Sequence, residues 1–184
     1  MSDIKVLKYI PNEYKKDVSS IDFNSLKMKG MDIFFFDLDN TLADYETHHA
    51  TDELKSIINN VKTYGRVIIV SNNKYPRVST YMKELDVEGI YRLDKPFTKK
   101  IKKFINDNNI DTSKAVWIGD QVMTDLKLSY KLKIYSILVD PIKPSTEKWY
   151  TRINRFFERR KIKQIKKKCE ERYNSLNLED RNGI

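Results

Sequence analysis

Cysteine, glycine and proline are all scarce in this sequence. Its 184 residues include one cysteine, five glycines and five prolines. The single cysteine, Cys169, excludes an internal disulfide and makes a reducing compartment the default expectation. Since there is no internal repeat and no low-complexity linker, we predict one domain with an N-terminal extension, over residues 1–150, followed by a helical tail over residues 151–184.

Long apolar runs are also missing. The longest uninterrupted runs lie at residues 33–36 and 67–70, whereas a membrane-spanning helix needs about 20 apolar residues. The first segment, MSDIKVLKYIPNEY, has no apolar core of the kind found in secretory signals. These absences predict a cytoplasmic protein.

Acidic residues are outnumbered, and the basic excess is concentrated in the tail. The sequence has 35 Lys and Arg against 26 Asp and Glu, which gives a net charge of +9. Residues 151–172 hold ten basic and three acidic side chains, so this stretch supplies +7 of the total. Residues 31–150 are close to balanced. The basic character therefore belongs to the tail.

Four short apolar runs and a weaker fifth alternate with segments of helical spacing. The runs are rich in Val, Ile and Phe without polar alternation, as expected of strands buried on both faces. This order predicts an α/β fold with a doubly wound parallel sheet and helices on both sides. The predicted strands are residues 33–36, 67–70, 89–91, 115–118 and 135–139, and the predicted helices are residues 53–65, 77–87, 99–108 and 122–132.

Polar residues follow the predicted strands at the point where each one ends. The carboxyl ends of parallel strands meet at one edge of a sheet, and ligands bind there. Carboxylates from two strands would form an oxygen-rich cluster suited to Mg²⁺, and Lys95 would help to offset their repulsion. The polar segments are DLDNT (37–41), SNN (71–73), DKP (94–96) and GDQVMTD (119–125).

These four segments, in this order, resemble the motifs of the haloacid dehalogenase (HAD) superfamily of phosphatases. A narrower resemblance is to the YqeG family of HAD subfamily IIIA, whose relatives include mitochondrial phosphatidylglycerophosphatase. The sequence departs from the family at Tyr45, where tryptophan is expected, and at the acidic Asp94 before Lys95. The stretches that carry the resemblance are YIPNEY (9–14), FDLDNTL (36–42), ATDEL (50–54), VSNNKYPRV (70–78), KP (95–96), IGDQVMTD (118–125), ILVDPI (137–142) and TRINRFFER (151–159).

The resemblance implies Mg²⁺-dependent hydrolysis of a phosphomonoester through an aspartyl-phosphate. Asp37 is expected to attack phosphorus, while Asp39 protonates the leaving alcohol and then activates water. Lys95 completes the catalytic set. The metal is expected on Asp37, Asp39 and Asp120, with Asp125 either binding a metal water or only orienting Lys95, and the phosphate is expected on Thr41, Ser71, Asn72 and Lys95.

The intervals between the motifs leave no room for a cap domain. Residues 41–71 can hold a short flap and one helix, and residues 71–95 can hold one helix. The capless cleft is therefore predicted to be open, which suits a phosphate on a large molecule or at a membrane surface. A cap supplied by oligomerisation is the alternative, and the oligomeric state stays open. The two histidines at 48 and 49 lack a suitably spaced third ligand, which favours a polar flap.

The tail has two apolar stripes at helical spacing, roughly 160° apart at about 100° per residue. Either the chain bends near residues 158–161, or the second stripe faces another partner. Two interpretations follow: a structural basic helix, or peripheral attachment to the inner face of an anionic membrane. Nucleic acid is not favoured, because the tail lacks interleaved aromatic residues for base stacking. The first stripe is Ile153, Phe156 and Phe157, and the second is Ile162, Ile165, Cys169 and Tyr173.

The sequence therefore predicts a phosphatase whose substrate is an anionic lipid, phosphatidylglycerophosphate, with phosphatidylglycerol as the product. The lipid depends mainly on the YqeG resemblance, and the open cleft and basic tail agree with it. Two alternatives stay open. One is a phosphatase for a soluble phosphomonoester or a phosphorylated macromolecule, and the other is a nucleic-acid- or ribosome-binding module that kept the fold.

Overall fold

A parallel sheet of six strands forms the centre of the computed structural model, which describes residues 4–147 and 149–181. The strands lie side by side in the order β1-β6-β5-β2-β3-β4, and each neighbouring pair is parallel. The predicted α/β fold is therefore confirmed. In chain order the strands are β1 (Glu13–Lys15), β2 (Ile33–Asp37), β3 (Arg66–Val70), β4 (Glu88–Ile90), β5 (Ala115–Gly119) and β6 (Tyr135–Val139).

Helices pack on both faces of the sheet, as the alternating pattern predicts. Buried side chains of α2, α3 and α4 belong to the apolar cluster on one face, and those of α5 and α6 belong to the cluster on the other. The helices are α1 (Ile4–Leu7), α2 (Phe23–Met28), α3 (Asp52–Lys62), α4 (Tyr75–Leu85), α5 (Lys99–Asp107), α6 (Lys127–Leu132), α7 (Trp149–Lys168) and α8 (Glu170–Ser175).

The phenylalanines of β2 show how one strand serves both layers. Successive side chains of a strand point to opposite faces. Phe34 and Phe36 accordingly pack in one cluster, while Phe35 lies in the other and stacks on Trp117 of β5 at 5.5 Å between ring centroids. All four side chains are fully buried, and each contributes about 1.5–3 kcal/mol by leaving water. This burial holds the end of β2 rigidly at the centre of the sheet.

Some elements carry no pattern that would predict them. The three residues of β1, Glu13 to Lys15, are only half-buried and include no apolar run. Their strand conformation comes from pairing with β6, where Glu13 lies opposite Ile137 and Lys15 lies opposite Val139. The segment predicted as one helix over residues 122–132 is a π-helical turn at Val122–Leu126 followed by α6.

The helix α7 runs from Trp149 to Lys168 without a break, so the chain does not bend at residues 158–161. Ile162 and Ile165 of the second stripe are buried against Val6 of α1 and Leu138 of β6. The expectation that the second stripe could face another partner is therefore wrong. The exposed stripe is the first one, which consists of Ile153, Phe156 and Phe157.

The boundary predicted at residue 150 falls within the first turn of α7. Residues 1–3 and 148 of the predicted domain, and residues 182–184 of the predicted tail, lie outside the described residues. Among the helices that the structure describes, each is too short or too polar to cross a bilayer.

Candidate active site

The loops that follow β2, β3, β4 and β5 bring the predicted site residues to one edge of the sheet. Asp37 is the last residue of β2, Ser71 follows β3, and Asp120 follows β5. Seven of the eight predicted residues are buried, namely Asp37, Asp39, Thr41, Ser71, Lys95, Asp120 and Asp125, and Asn72 is exposed. The contacts of these side chains define the site.

Lys95 is bonded to two carboxylates at the centre of the site. Its ammonium group lies 2.5 Å from Asp37 Oδ1 and 2.8 Å from Asp125 Oδ1. Burial raises the pKa of Asp37 well above its usual range, although the charge of Lys95 opposes this shift. Burial also disfavours the charged form of Lys95, but Asp125 and Asp37 outweigh it, so that the pKa of Lys95 is raised. A charged lysine thus lies beside a carboxyl group whose negative charge is only partly offset.

Asp125 is held by several donors besides Lys95. The indole nitrogen of Trp117 donates to Oδ1 at 3.1 Å, and the backbone nitrogen of Gln121 donates to Oδ2 at 3.2 Å. Gly119 makes this position possible, because a Cβ atom there would lie 2.5 Å from Cγ of Asp125. A larger residue than glycine at the position before Asp120 would therefore clash with the Asp125 side chain.

Asp120 receives a guanidinium group from the tail. Arg155 of α7 donates through Nη2 to Oδ2 of Asp120 and through Nη1 to its backbone oxygen at 2.8 Å. The hydroxyl of Thr41 donates to Oδ1 at 3.2 Å, so both carboxylate oxygens have partners. Arg181 reaches the same backbone oxygen through Nη2 at 2.6 Å. Two tail arginines therefore contact a residue of the fourth motif.

Arg155 itself lies in a buried network of charges. It also donates to Glu147 Oε1, at 2.6 Å through Nη2, and to Glu158 Oε2, at 2.9 Å through Nη1. Burial opposes its charge, but Asp120, Glu158 and Glu147 outweigh this effect and raise the pKa of Arg155. Glu147 in turn accepts a hydrogen bond from Asn40 at 2.9 Å. Neither Arg155 nor Glu147 belongs to the four motifs, and the only signal for Arg155 was its place in the stretch TRINRFFER.

The carboxylate of Asp39 has a partner that the motifs did not predict. Arg77 donates through Nε to Oδ1 at 2.7 Å, and Ser71 donates to Oδ2 at 3.1 Å. The other guanidinium nitrogens of Arg77 donate to the backbone oxygens of Thr47 and Asp44. The arginine thus ties the loop after β2 to the start of α4. The only available signal was its place in the stretch VSNNKYPRV.

Asn72, a predicted phosphate-binding residue, uses its side chain to hold the Lys95 loop. Its Oδ1 accepts from the backbone nitrogen of Lys95 at 2.7 Å, and its Nδ2 donates to the Lys95 backbone oxygen at 3.3 Å. The side chain therefore positions Lys95. Asp94, whose charge the sequence placed beside Lys95, pairs at the surface with Lys100 at 2.5 Å.

The donor set fits a hard divalent cation. Asp37, Asp120 and Asp125 are buried, and each can offer a carboxylate oxygen such that the three oxygens lie within 4.8 Å of one another. Oxygen ligands of this kind suit Mg²⁺. Burial is the main cause of the raised pKa of Asp37, and the charges of Asp125, Asp120 and Asp39 add to it, so a cation here would favour its charged form. Among the described residues, His49 is not part of this group, and its ring pairs with Glu84 at 2.6 Å.

A cleft of about 370 Å³ is lined by Asp37, Asp39 and Lys95. One wall belongs to the tail, since Thr151 and Asn154 of α7 line it. Tyr45 also lines the cleft, and its hydroxyl is hydrogen-bonded to Thr151. The interval from Thr41 to Ser71 holds α3 and β3, and the interval from Ser71 to Lys95 holds α4 and β4. The cleft therefore has no cap from either interval but has a wall from α7.

Comparison with known proteins gives a clear relationship. The family model described as mitochondrial PGP phosphatase matches residues 4–143. The chain is also 32% identical over 161 residues to the protein named "Probable phosphatase YqeG" of Bacillus subtilis (strain 168), and the match covers 87% of this chain and 93% of that protein.

Solved structures resemble the chain more distantly. The crystal structure of an uncharacterized protein from Listeria monocytogenes serotype 4b aligns with a TM-score of 0.50 at 15% identity, over 59% of this chain and 78% of that one. The structure of a predicted HAD-like family hydrolase from Porphyromonas gingivalis aligns with a TM-score of 0.48 at 12% identity, over 69% and 98%. At its identity, the likeness to the Listeria protein shows the fold alone.

Proposed function

We propose a substrate and a mechanism for this chain, which belongs to the mitochondrial PGP phosphatase family and is a YqeG-type HAD phosphatase. Its reaction is hydrolysis of a phosphoric monoester. The proposed substrate is phosphatidylglycerophosphate, and the proposed route is Mg²⁺-dependent, through a phosphorylated Asp37. The observation that carries the route is the buried contact of Lys95 with Asp37 and Asp125 at 2.5 and 2.8 Å.

In the first step, a carboxylate oxygen of Asp37 attacks phosphorus, and the bond from phosphorus to the alcohol oxygen breaks. A side chain can act in this way when it is fixed against the reacting centre. The burial of Asp37 and its contact with Lys95 support this assignment. Lys95 would also offset charge on the phosphoryl oxygens, and Ser71 and the backbone at Asn72 would donate to them.

Asp39 would give its proton to the departing alkoxide and would then take a proton from the water that hydrolyses the phosphorylated Asp37. The products are the alcohol and inorganic phosphate, and both aspartates return to their starting states. Oδ1 and Oδ2 of Asp39 accept hydrogen bonds from Arg77 and Ser71. Asn73 Nδ2 also donates to Oδ2, at 3.4 Å. The proposal therefore requires the entering phosphate to displace Ser71 and Asn73 from Oδ2, and Ser71, which is also a phosphate donor, fits that requirement.

The metal would be held by the carboxylates of Asp37 and Asp120 and by the backbone oxygen of Asp39, as in the family resemblance. When bound, Mg²⁺ would neutralise charge on the phosphoryl group. For Asp125, the contacts with Lys95, Trp117 and the backbone of Gln121 support the orienting role rather than direct ligation. Arg155 would hold the Asp120 side chain from the tail side.

The lipid substrate is supported by the family description and by the absence of a cap over the cleft. A phosphate on a bilayer can approach such a cleft without being enclosed. A soluble phosphomonoester or a phosphorylated macromolecule is the second candidate. The family relationship favours an enzyme over the nucleic-acid- or ribosome-binding module.

Asp37→Asn tests the mechanism, because it removes the nucleophile and keeps the shape of the side chain. We expect hydrolysis of 4-nitrophenyl phosphate to fall at least about 10³-fold, and a chelator should abolish the wild-type activity until Mg²⁺ is added back. The exposed Asp111→Asn serves as the control. Asp37→Asn protein that keeps more than about a tenth of the activity, in a fold unchanged by circular dichroism, would refute the proposed nucleophile.

A second assay tests the substrate. Phosphatidylglycerophosphate in vesicles is compared with glycerol 3-phosphate and 4-nitrophenyl phosphate at matched Mg²⁺. Because binding energy from remote parts of a substrate raises kcat/KM, we expect at least about a tenfold preference for the lipid. An equal or higher value for glycerol 3-phosphate would favour a soluble substrate instead.

A further inference from the structure

Exposed large apolar side chains are concentrated at the edge of the sheet that holds the cleft. Among the described residues there are eleven, and eight of them either follow the carboxyl ends of strands or lie in the first half of α7. A grouping of this kind marks an interaction surface, whereas isolated exposed apolar residues do not. The largest group, here named the apolar face of α7, consists of Trp149, Ile153, Phe156 and Phe157, which are 73%, 47%, 53% and 43% exposed.

The apolar face points outward because the opposite side of α7 is fixed against the domain. At about 100° per residue, Thr151, Glu158 and Ile162 lie within about 40° of one another on the helix, and all three are buried. The apolar face is centred roughly 180° from them on the same helix. Rotating α7 to bury it would expose Ile162 and break the contacts of Glu158. The packing of the tail therefore leaves these aromatic residues outside.

The charge around the apolar face is positive. Arg152, Arg160 and Lys163 are exposed on the same side of α7, and the Arg160 guanidinium lies 4.9 Å from the centroid of the Phe156 ring. The sequence of α7 contains one acidic residue, Glu158, which is buried and paired with Arg155. An anionic partner would therefore meet apolar and basic groups without an opposing acidic side chain.

The helix that carries the apolar face also forms one wall of the cleft through its opposite side. Thr151 and Asn154, on the same two turns of α7, line the cleft wall. Across the sheet edge, Tyr75 and Tyr91 follow β3 and β4 and are exposed, with their rings 5.0 Å apart. Phe97, two residues after Lys95, is 70% exposed. Exposed apolar side chains therefore lie both on the helix that forms one wall of the cleft and in the segments after β3 and β4.

We propose that the apolar face of α7 docks on an anionic lipid bilayer and keeps the enzyme at the membrane surface, an inference that rests on the proposed lipid substrate for its purpose. Aromatic side chains flanked by Lys and Arg match the boundary between headgroups and acyl chains. Docking on a second copy of this chain is less favourable, because the positive charges of the two basic tails would repel each other. A nucleic acid would use the charge but would leave the apolar side chains without partners.

The test uses the full chain with Phe156→Gln and Phe157→Gln combined. Truncation is less sharp, because the rest of α7 includes the buried Ile162 and Ile165. The control combines Met28→Gln with Tyr130→Gln, since these residues are 82% and 48% exposed and lie on helices that lead into β2 and β6, at the opposite edge of the sheet. Binding is measured by sedimentation with vesicles of phosphatidylglycerol and phosphatidylcholine that contain no phosphomonoester, and with vesicles of phosphatidylcholine alone.

We expect the double phenylalanine variant to lose at least about tenfold in partition onto the anionic vesicles, because two aromatic side chains no longer leave water. Hydrolysis of 4-nitrophenyl phosphate should stay within about twofold, since neither residue contacts the site. The control should bind like the wild type, raised salt should weaken binding, and phosphatidylcholine vesicles should bind poorly.

Unchanged vesicle binding, or an equal loss in the control, would overturn the docking surface. The docking surface would also be overturned if the wild type did not bind vesicles but formed a dimer, or bound RNA, and the phenylalanine variant lost that property. The expected loss of vesicle binding would support the docking surface even if phosphatidylglycerophosphate is not hydrolysed. In that case the proposed substrate would fail and the membrane contact would stand.

Discussion

The edge of the sheet and the tail helix both contribute to the cleft, but they are built by different kinds of interaction. At the sheet edge, Asp37 and Asp120 owe their positions to β2 and β5, whose apolar residues are buried on both faces. In α7, Arg155 contacts Asp120, which lies 35 residues earlier in the chain, and also the nearer Glu147 and Glu158, and these contacts form only when α7 packs on the domain. Local sequence thus specifies the first region, and tertiary packing specifies the second.

This difference teaches which functional residues a short motif can reveal. A motif at the end of a parallel strand needs only the fold class to be placed near its counterparts. A residue that reaches a site from a helix needs the rotation of that helix to be known, and here the rotation is set by Ile162 and Ile165 in the core. The variants below test whether the two regions are separable, beginning with the largest expected effect.

Asp39→Asn tests whether Asp39, at the sheet edge, protonates the leaving group. A poor alkoxide leaving group needs a proton and an aryl oxide does not, so formation of the phosphorylated enzyme should slow about 10²–10⁴-fold for alkyl phosphates and far less for aryl phosphates. Single-turnover measurement of this first step with both substrates is the assay. Equal losses for the two would contradict the role of Asp39 as an acid, and the aryl substrate serves as the internal control.

Arg155→Met tests whether the tail is part of the same folded unit. The change leaves Asp120, Glu147 and Glu158 without their shared cation in a buried network, and breaking such a network costs about 3–5 kcal/mol. The free energy of unfolding in urea is the measurement. Arg152→Met, at an exposed position in the same turn, should change this free energy by less than about 0.5 kcal/mol. Similar urea midpoints for the two variants would show that the Arg155 contacts do not stabilise the domain.

Much of the fold could be predicted from the sequence, and the reason is the burial of the sheet. The runs IFFF, VIIV and AVWI became strands because both of their faces are covered. By contrast, β1 has no such run, and it depends on its pairing with β6. The direction of the tail stripes could not be predicted, because hydrophobic spacing gives the angle between two stripes and does not say which of them faces the core.

The same distinction applies to the candidate site: residues at strand ends could be predicted, and residues that reach the site from helices could not. The sheet edge brings together Asp37, Lys95 and Asp125 as the order of motifs leads one to expect. Arg77 and Arg155 were missed, because each reaches the site from a helix whose orientation is a property of the packed domain. Their assigned roles, like those of the motif residues, are proposals that the variants address.

Ile162→Ala and Ile153→Ala form a matched pair within α7. Ile162 is 2% exposed and Ile153 is 47% exposed. Removing the buried side chain should cost about 2–5 kcal/mol of the free energy of unfolding. The change at Ile153 should cost less than about 0.5 kcal/mol, because alanine also has the higher helix propensity. Thermal and urea unfolding of the full chain are the measurements. Equal losses would mean that α7 does not pack with the orientation described.

The smallest effect is expected at Asp94, which lies in the same loop as Lys95 but faces outward. Its carboxylate pairs with Lys100 at 2.5 Å, and both side chains are about half exposed. The pKa of Lys95 is raised by Asp125 and Asp37 despite its burial, and those carboxylates stay in place when Asp94 changes. Asparagine, like aspartate, tolerates the positive φ of 61° at position 94, so Asp94→Asn adds no backbone strain.

For Asp94→Asn we therefore expect a loss of stability below about 1 kcal/mol, as for an exposed ion pair, and kcat/KM for 4-nitrophenyl phosphate within about twofold of the wild type. Lys100→Gln breaks the same ion pair from the other side and should behave alike. If Asp94→Asn changed kcat/KM by tenfold while Lys100→Gln did not, the charge of Asp94 would act on the site directly. The sheet edge would then include the outward side of its loops, and this departure from the family would affect the site.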